Sequence, residues 1–233
     1  MLSAAGRNQP SAQSVNEVMM GRSLVAEHAL KAVETAMEAA GGAGFYRAAG
    51  LERRFRDIQG GSHVSPLVGQ SVFAVPGVVT AIRSNGFYIQ DPQPDADVAT
   101  SEGLFVFTSA APTVAVGDSV LVNGTVAEFR PGGAGGFANL SITEIVGPSV
   151  SVVSGGNPLP PPIVIGSGGR AVPTQVIDDD ATGDVESSGS FDAVADGIDF
   201  YESLEGMRVS IANPVAVGPT NDFGELPVVV DGG

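Results

Sequence analysis

Val78-Val79-Thr80-Ala81-Ile82-Arg83-Ser84-Asn85-Gly86-Phe87-Tyr88-Ile89-Gln90 decides the fold. Two runs rich in β-branched and aromatic residues flank Asn85-Gly86, and Asn-Gly supplies the positive φ angles of a tight hairpin turn. The stretch predicts strands over Val78–Arg83 and Gly86–Gln90. Working outward, Val68–Val72, Leu104–Thr108, Ser119–Phe129 and Ala138–Val146 also read as strands. Val116-Gly117-Asp118 is a turn, and Pro131–Gly136 is a Gly-rich loop joining two more strands. Five or six strands at this spacing predict a mainly β chain with a small closed barrel of the oligonucleotide-binding (OB) type.

Upstream the period changes. Val15, Val18, Met19, Leu24, Val25, Ala29, Leu30, Val33, Met37 and Ala40 recur mostly at three- and four-residue steps, predicting an amphipathic helix over Gln13–Ala40. Ser14 with Glu17 forms a capping box, and Gly41-Gly42 stops the helix. A shorter helix follows over Phe45–Asp57. Residues 1–60 therefore read as an α-helical hairpin. The charge breaks at the same place: residues 1–60 hold seven Lys/Arg against six Asp/Glu, residues 61–233 four against twenty. The segment Arg54–His63 reads as a seam between a helical head and a β body.

Composition narrows the function classes. The 233 residues contain no Cys and two His, which excludes a disulfide scaffold and a thiolate zinc site. A pI near 4.2 argues against tight, charge-driven binding to a phosphate backbone. No apolar run approaches the roughly 20 residues that span a bilayer, so no membrane partner is expected. Met1 to Ser11 is polar and small and does not read as a signal peptide, which places the chain as written in the cytoplasm.

Beyond the barrel, residues 61–150, the stretch 151–199 is rich in Pro, Gly and Asp and reads as a linker. Pro158-Leu159-Pro160-Pro161-Pro162 favours extended structure, and Asp178-Asp179-Asp180 with Asp184 and Glu186 reads as solvated loop. Residues 200–233 read as a truncated second β unit: Leu204-Glu205-Gly206-Met207-Arg208-Val209 echoes Leu67-Val68-Gly69-Gln70-Ser71-Val72.

Two resemblances follow from particular words. GRSLVAEHALKAVETAMEAAGGAGFYRAAGLERRFRDIQG, ending at Gly60, resembles the C-terminal helical end of acyl-CoA dehydrogenases. That resemblance implies that Gly41, Gly42 and Arg56 are relics of a flavin (FAD) site. From about Ile58 onward, Asn85-Gly86-Phe87-Tyr88-Ile89-Gln90-Asp91-Pro92 with Ala99-Thr100-Ser101-Glu102-Gly103 resembles the OB-like region upstream of the catalytic domain in large secreted bacterial nucleases of the endonuclease/exonuclease/phosphatase family. It implies secretion, and a catalytic domain C-terminal to Gly233. The two resemblances share the words at the seam, so the chain reads as a chimera.

Candidate sites are sparse, and no catalytic residue is expected. Arg83, Asn85, Phe87 and Tyr88 offer a cation and aromatic faces to single-stranded nucleic acid, bound weakly; Phe105 and Phe107 share one side of their strand and read as core. Asp91, Asp95, Asp97 and Glu102 gather oxygen ligands suited to Ca²⁺, though a solvated acidic loop has the same composition. No other cofactor is implied. His63, without an Asp nearby in sequence, reads as a surface or capping residue. Three functions remain: a non-catalytic OB-like module of a nuclease-like protein, a fragment of a flavin-dependent acyl-CoA dehydrogenase, and a structural spacer.

Overall fold

A computed structural model describes residues 53–231 except 133–135, 137–138, 212, 222–223 and 225. The described part, within the compact unit Gly50–Gly233, is mainly β. The helix expected over 13–40 lies outside the described residues.

Five strands close a barrel: β1 (Ser71–Arg83), β2 (Gly86–Gln90), β3 (Gly103–Phe107), β4 (Ser119–Phe129) and β5 (Ile142–Ser154). Their order is β1-β2-β3-β5-β4, with β1 pairing back onto β4. Within the barrel only the β3–β5 pair is parallel. The strand spacing predicts this small closed five-stranded barrel. The Asn85-Gly86 hairpin forms with Arg83 opposite Gly86. Of the expected strand Val68–Val72 only Ser71 and Val72 are strand, Val68 and Gly69 lying in a turn, and they run on into Val78–Arg83 as one strand with a bulge between Val72 and Val75. Ala74 takes φ 51° there, and its N–H is held by Asn123 Oδ1 at 2.7 Å.

Alternation sorts the strands. Val75, Val79, Phe87, Ile89, Leu104, Val106, Val120, Val122, Val126 and Ile145 point inward and are buried. Phe105 and Phe107, expected in the core, occupy the alternate positions. The inward pair on β3 is Leu104 and Val106, and Phe105 is buried instead against Tyr88 on the outer face, their rings 4.9 Å apart.

The seam is in the wrong place. Helix α1 (Arg53–Gln59) contributes Phe55 and Ile58 to the barrel core, both fully buried. The barrel interior is made around this plug: a Cβ on Gly77 would sit 3.2 Å from the Phe55 ring and 2.8 Å from Ile89. The helix stops at Gly60, whose φ of 70° suits glycine and whose N–H still bonds Arg56 O at 2.7 Å. Ser65 Oγ then ties to Ile58 O, and Gln59 Nε2 donates to Gly103 O on β3. Residues 53–59 thus belong to the barrel, not to a separate helical head.

After the barrel come two separate two-stranded sheets. Strands β6 (Ile163–Ile165) and β7 (Val209–Ile211) pair in parallel, and β8 (Val215–Ala216) pairs with β9 (Val228–Val229). Helix α2 (Gly197–Glu202) supplies Phe200, which with Leu204 and Ile165 makes a second small core. The Arg170 guanidinium lies 4.7 Å over the Phe200 ring and donates to Ser203 Oγ at 2.9 Å. β6 lies inside the stretch read as linker. The echo of Leu67–Val72 does carry structure: Leu67–Gly69 and Leu204–Gly206 are both turns, closed by Gln70 N–H to Leu67 O at 2.9 Å and Met207 N–H to Leu204 O at 3.1 Å, and both lead into a strand.

Candidate functional site: a buried histidine–carboxylate cluster

The turn after α1 places His63 between the barrel and α2. Its side chain is 5% exposed. Nε2 lies 2.7 Å from Asp199 Oδ1, and Nδ1 lies 3.4 Å from Glu202 Oε2. The ring of Phe191 meets His63 edge-on at 5.4 Å. His63 is therefore an interior ion-pair residue, not a surface or capping one; its partners stand 136 and 139 positions along the chain, beyond any local pattern. Asp199 accepts a second bond from Asp192 N–H at 2.6 Å, which fixes its carboxylate.

Carboxylates continue the cluster inward. Glu128 at the end of β4 accepts from Ser65 N–H at 2.8 Å and from Thr143 Oγ1 at 2.9 Å. Glu205 accepts from Thr143 N–H at 3.0 Å and hydrogen-bonds Glu202. Burial, then repulsion from Glu202 and Glu128, pushes the Glu205 carboxyl up to about 9, so it is a neutral donor to Glu202 at neutral pH. Burial also raises Glu128 against the bonds that favour its charge. Burial of His63 favours the neutral ring, but hydrogen bonds and attraction from Glu202 and Asp199 outweigh it and raise the imidazole above its ordinary value. The cluster sets the imidazole between the side chains of Asp199 and Glu202, with Glu205 on the far side of Glu202.

A cleft of about 180 Å³ opens beside it, lined by Ser62, His63, Glu186, Ser187, Ser188 and Phe191 among others. Serines beside a histidine invite comparison with acyl-transfer sites, but the geometry refuses it. A general base needs one ring nitrogen free for the nucleophile and one held by a carboxylate. Here both nitrogens face carboxylates. The hydroxyls of Ser187 and Ser188 donate to Asp184 O, and that of Ser62 to Val64 O. Among the described residues no group of three or more His, Asp or Glu is placed to hold a metal ion. The arrangement can store protons and fasten two parts of the chain.

The candidates from sequence fare unevenly. Phe87 is in the barrel core and has no face to stack on a base. Arg83 and Asn85 are exposed, and Arg83 Nη1 donates to the Tyr88 hydroxyl at 3.4 Å. The loop candidates for Ca²⁺ form a ladder of turns: Asp91, Asp95 and Asp97 each accept the N–H two residues on, at 2.7–3.0 Å. Glu102 is buried and accepts from Asp95 N–H at 3.2 Å; burial first, then Asp91 and Asp95, pushes it up to about 7. The carboxylates are thus occupied in shaping their own loop. Gly41 and Gly42 lie outside the described residues, and Arg56 lies 3.7 Å from Asp95 in a surface ion pair.

Residues 1–65 match the family described as acyl-CoA dehydrogenase, C-terminal domain. Residues 164–233 match a domain of unknown function, DUF8508, whose start coincides with β6. Neither match reaches the barrel strands. No curated protein and no solved structure matches the chain with significance.

Proposed function

We propose that this chain is a non-catalytic accessory module, in which an OB-type barrel uses its own ligand face to hold the segment that follows it. One observation carries the reading. On OB barrels the β2–β3 face and adjoining loops take up oligonucleotides or oligosaccharides. Here Glu205–Arg208 lies on that face: Arg208 N–H donates to Gln90 Oε1 at 2.9 Å, and Ser101 Oγ donates to Glu205 O at 2.5 Å. Gly103 lets the two backbones touch, since a Cβ there would stand 2.3 Å from Gly206 C. Gly103→Val is expected to force the segment off the barrel, at a cost of about 1–3 kcal/mol. Urea denaturation should show it, with amide exchange rising at 204–209. Unchanged stability would remove the docking contact from the argument.

The role resembles that of the OB-like region that precedes the catalytic domain in secreted nucleases, and it proposes as partner a catalytic domain C-terminal to Gly233. Nucleic acid is a weak candidate ligand. Phosphate binding needs clustered cations. Of the four Arg beyond residue 61, Arg130 pairs with Asp184 and Glu186, Arg170 rests on Phe200, and Arg208 donates to Pro160 O. A labelled single-stranded oligonucleotide at low salt is expected to show no saturable binding. Micromolar binding lost in Arg83→Ala and Tyr88→Ala would return the β1–β2 face to nucleic acid and sink the docking role.

A second reading, a fragment of a flavin-dependent acyl-CoA dehydrogenase, is favoured only by the match over residues 1–65. Flavin absorbance that follows the chain through purification belongs to that reading alone.

A further inference from the structure

We infer that two copies of this chain pair edge to edge through the second half of β5, antiparallel, about a two-fold axis at Ser151. This pairing does not involve the β2–β3 face and is independent of the accessory role.

The edge is open. β4 pairs with β5 from Ile142 to Ser154, whereas β3 pairs with the other side only at Glu144–Val146. Among the described residues no strand takes that side from Gly147 to Ser154. Bulges fall on either side of Ser149–Val152, which leaves that run in regular register with Val120–Asn123. Burial marks the gap. Val150 and Val152 stand opposite Val122 and Val120, both fully buried, so all share the inward face. Val150 packs against the barrel core. Val152 is 53% exposed, with no strand beyond it.

Charge and pattern select a second copy. Open edges are commonly guarded by charged side chains, and this one has none. Residues 145–169 contain no Asp, Glu, Lys, Arg or His, and neither do residues 119–127 of β4. The chain as a whole carries −15, so two copies repel each other elsewhere and approach most easily along this neutral strip. A basic partner finds nothing there to attract it. The strip also matches itself. In antiparallel pairing about Ser151, Val150 of each copy meets Val152 of the other, and Ser151 meets its own counterpart. Each Val152 is thereby covered on the core face. Both copies use the same patch, so the assembly closes as a dimer. The contact is short, because Pro148 has no N–H to donate and ends the pairing on its side.

The chain has no Cys, so a single introduced thiol reports the register. Ser151→Cys sets two thiols opposite each other at the axis, where facing Cα atoms stand about 4.5–5.5 Å apart, a span that a disulfide bridges. Ser149→Cys sets them about 14 Å apart along the strands, which a disulfide does not span. Both serines are exposed, so the variants keep the fold, and far-ultraviolet circular dichroism checks it. Sedimentation equilibrium of the full chain is expected to show a dimer that dissociates on dilution. Mild oxidation is expected to cross-link Ser151→Cys about tenfold faster than Ser149→Cys. Ser151→Lys is expected to leave a monomer, because pairing would set two ammonium groups face to face. The same change brings the net charge nearer zero, so non-specific association would rise instead. A chain that is monomeric at every concentration, a dimer indifferent to Ser151→Lys, or equal cross-linking at both positions overturns the pairing.

Discussion

His63→Ala is expected to destabilise the chain by about 3–5 kcal/mol, the range for removing one member of a buried ion pair. The loss is not the strength of the contact. It is the cost of leaving Asp199 and Glu202 in the interior without the ring that faces them both. Their side chains are 2% and 10% exposed in the folded chain. Asp199 cannot swing out, because its other oxygen holds Asp192 N–H. The test is urea denaturation of the wild type, His63→Ala, Asp199→Asn and the double variant. Asp199→Asn removes one charge while keeping a carbonyl for Asp192, so the double variant should recover part of the loss. A drop below about 1 kcal/mol for His63→Ala would mean that the ring is a packing residue and carries no charge that matters.

The barrel was legible because its information is local. Asn85-Gly86 names its own turn, and two-residue alternation puts Phe87 and Tyr88 on opposite faces, though spacing alone does not say which face is inward. Three things were not legible. The first is the plug. FRDIQ reads as the end of an amphipathic helix, and a helix pattern states that Phe55 and Ile58 share an apolar face without stating what covers it. The second is the pairing of His63 with Asp199 and Glu202, a contact made by topology across the whole barrel. The third is the state of the Pro- and Asp-rich stretch. Its composition matches a solvated linker, yet Arg130 reaches from the end of β4 to Glu186 and fixes it, and Ile163–Ile165 pairs as a strand. Each miss is a long-range partner that local propensity does not encode.

Stability should fall steadily from pH 5 to pH 9, and Glu205→Gln should abolish much of that slope. The sign follows from which state holds more protons. Below about 4.5 Glu205 is protonated whether the chain is folded or not, and it contributes no slope. Between there and about 9 the unfolded chain has released this proton while the folded chain retains it, held by burial and by Glu202 and Glu128. Raising the pH then draws the equilibrium toward the unfolded chain, by at most about 1.4 kcal/mol per pH unit for one group. Glu102, pushed up to about 7, adds the same sign between 4.5 and 7. His63 agrees with them: its stabilisation is complete below 6.5 and is lost as the pH rises through its raised folded value. Glutamine at 205 keeps a carbonyl for Thr143 N–H and offers an amide N–H to Glu202, without a proton to lose. The variant should therefore match the wild type near pH 4.5 and exceed it at pH 8. Urea midpoints measured across that range decide the matter. A wild-type midpoint that climbs between pH 5 and 7, or a variant no more stable than the wild type at pH 8, would mean that Glu205 ionises in the folded chain and that the cluster is open to water.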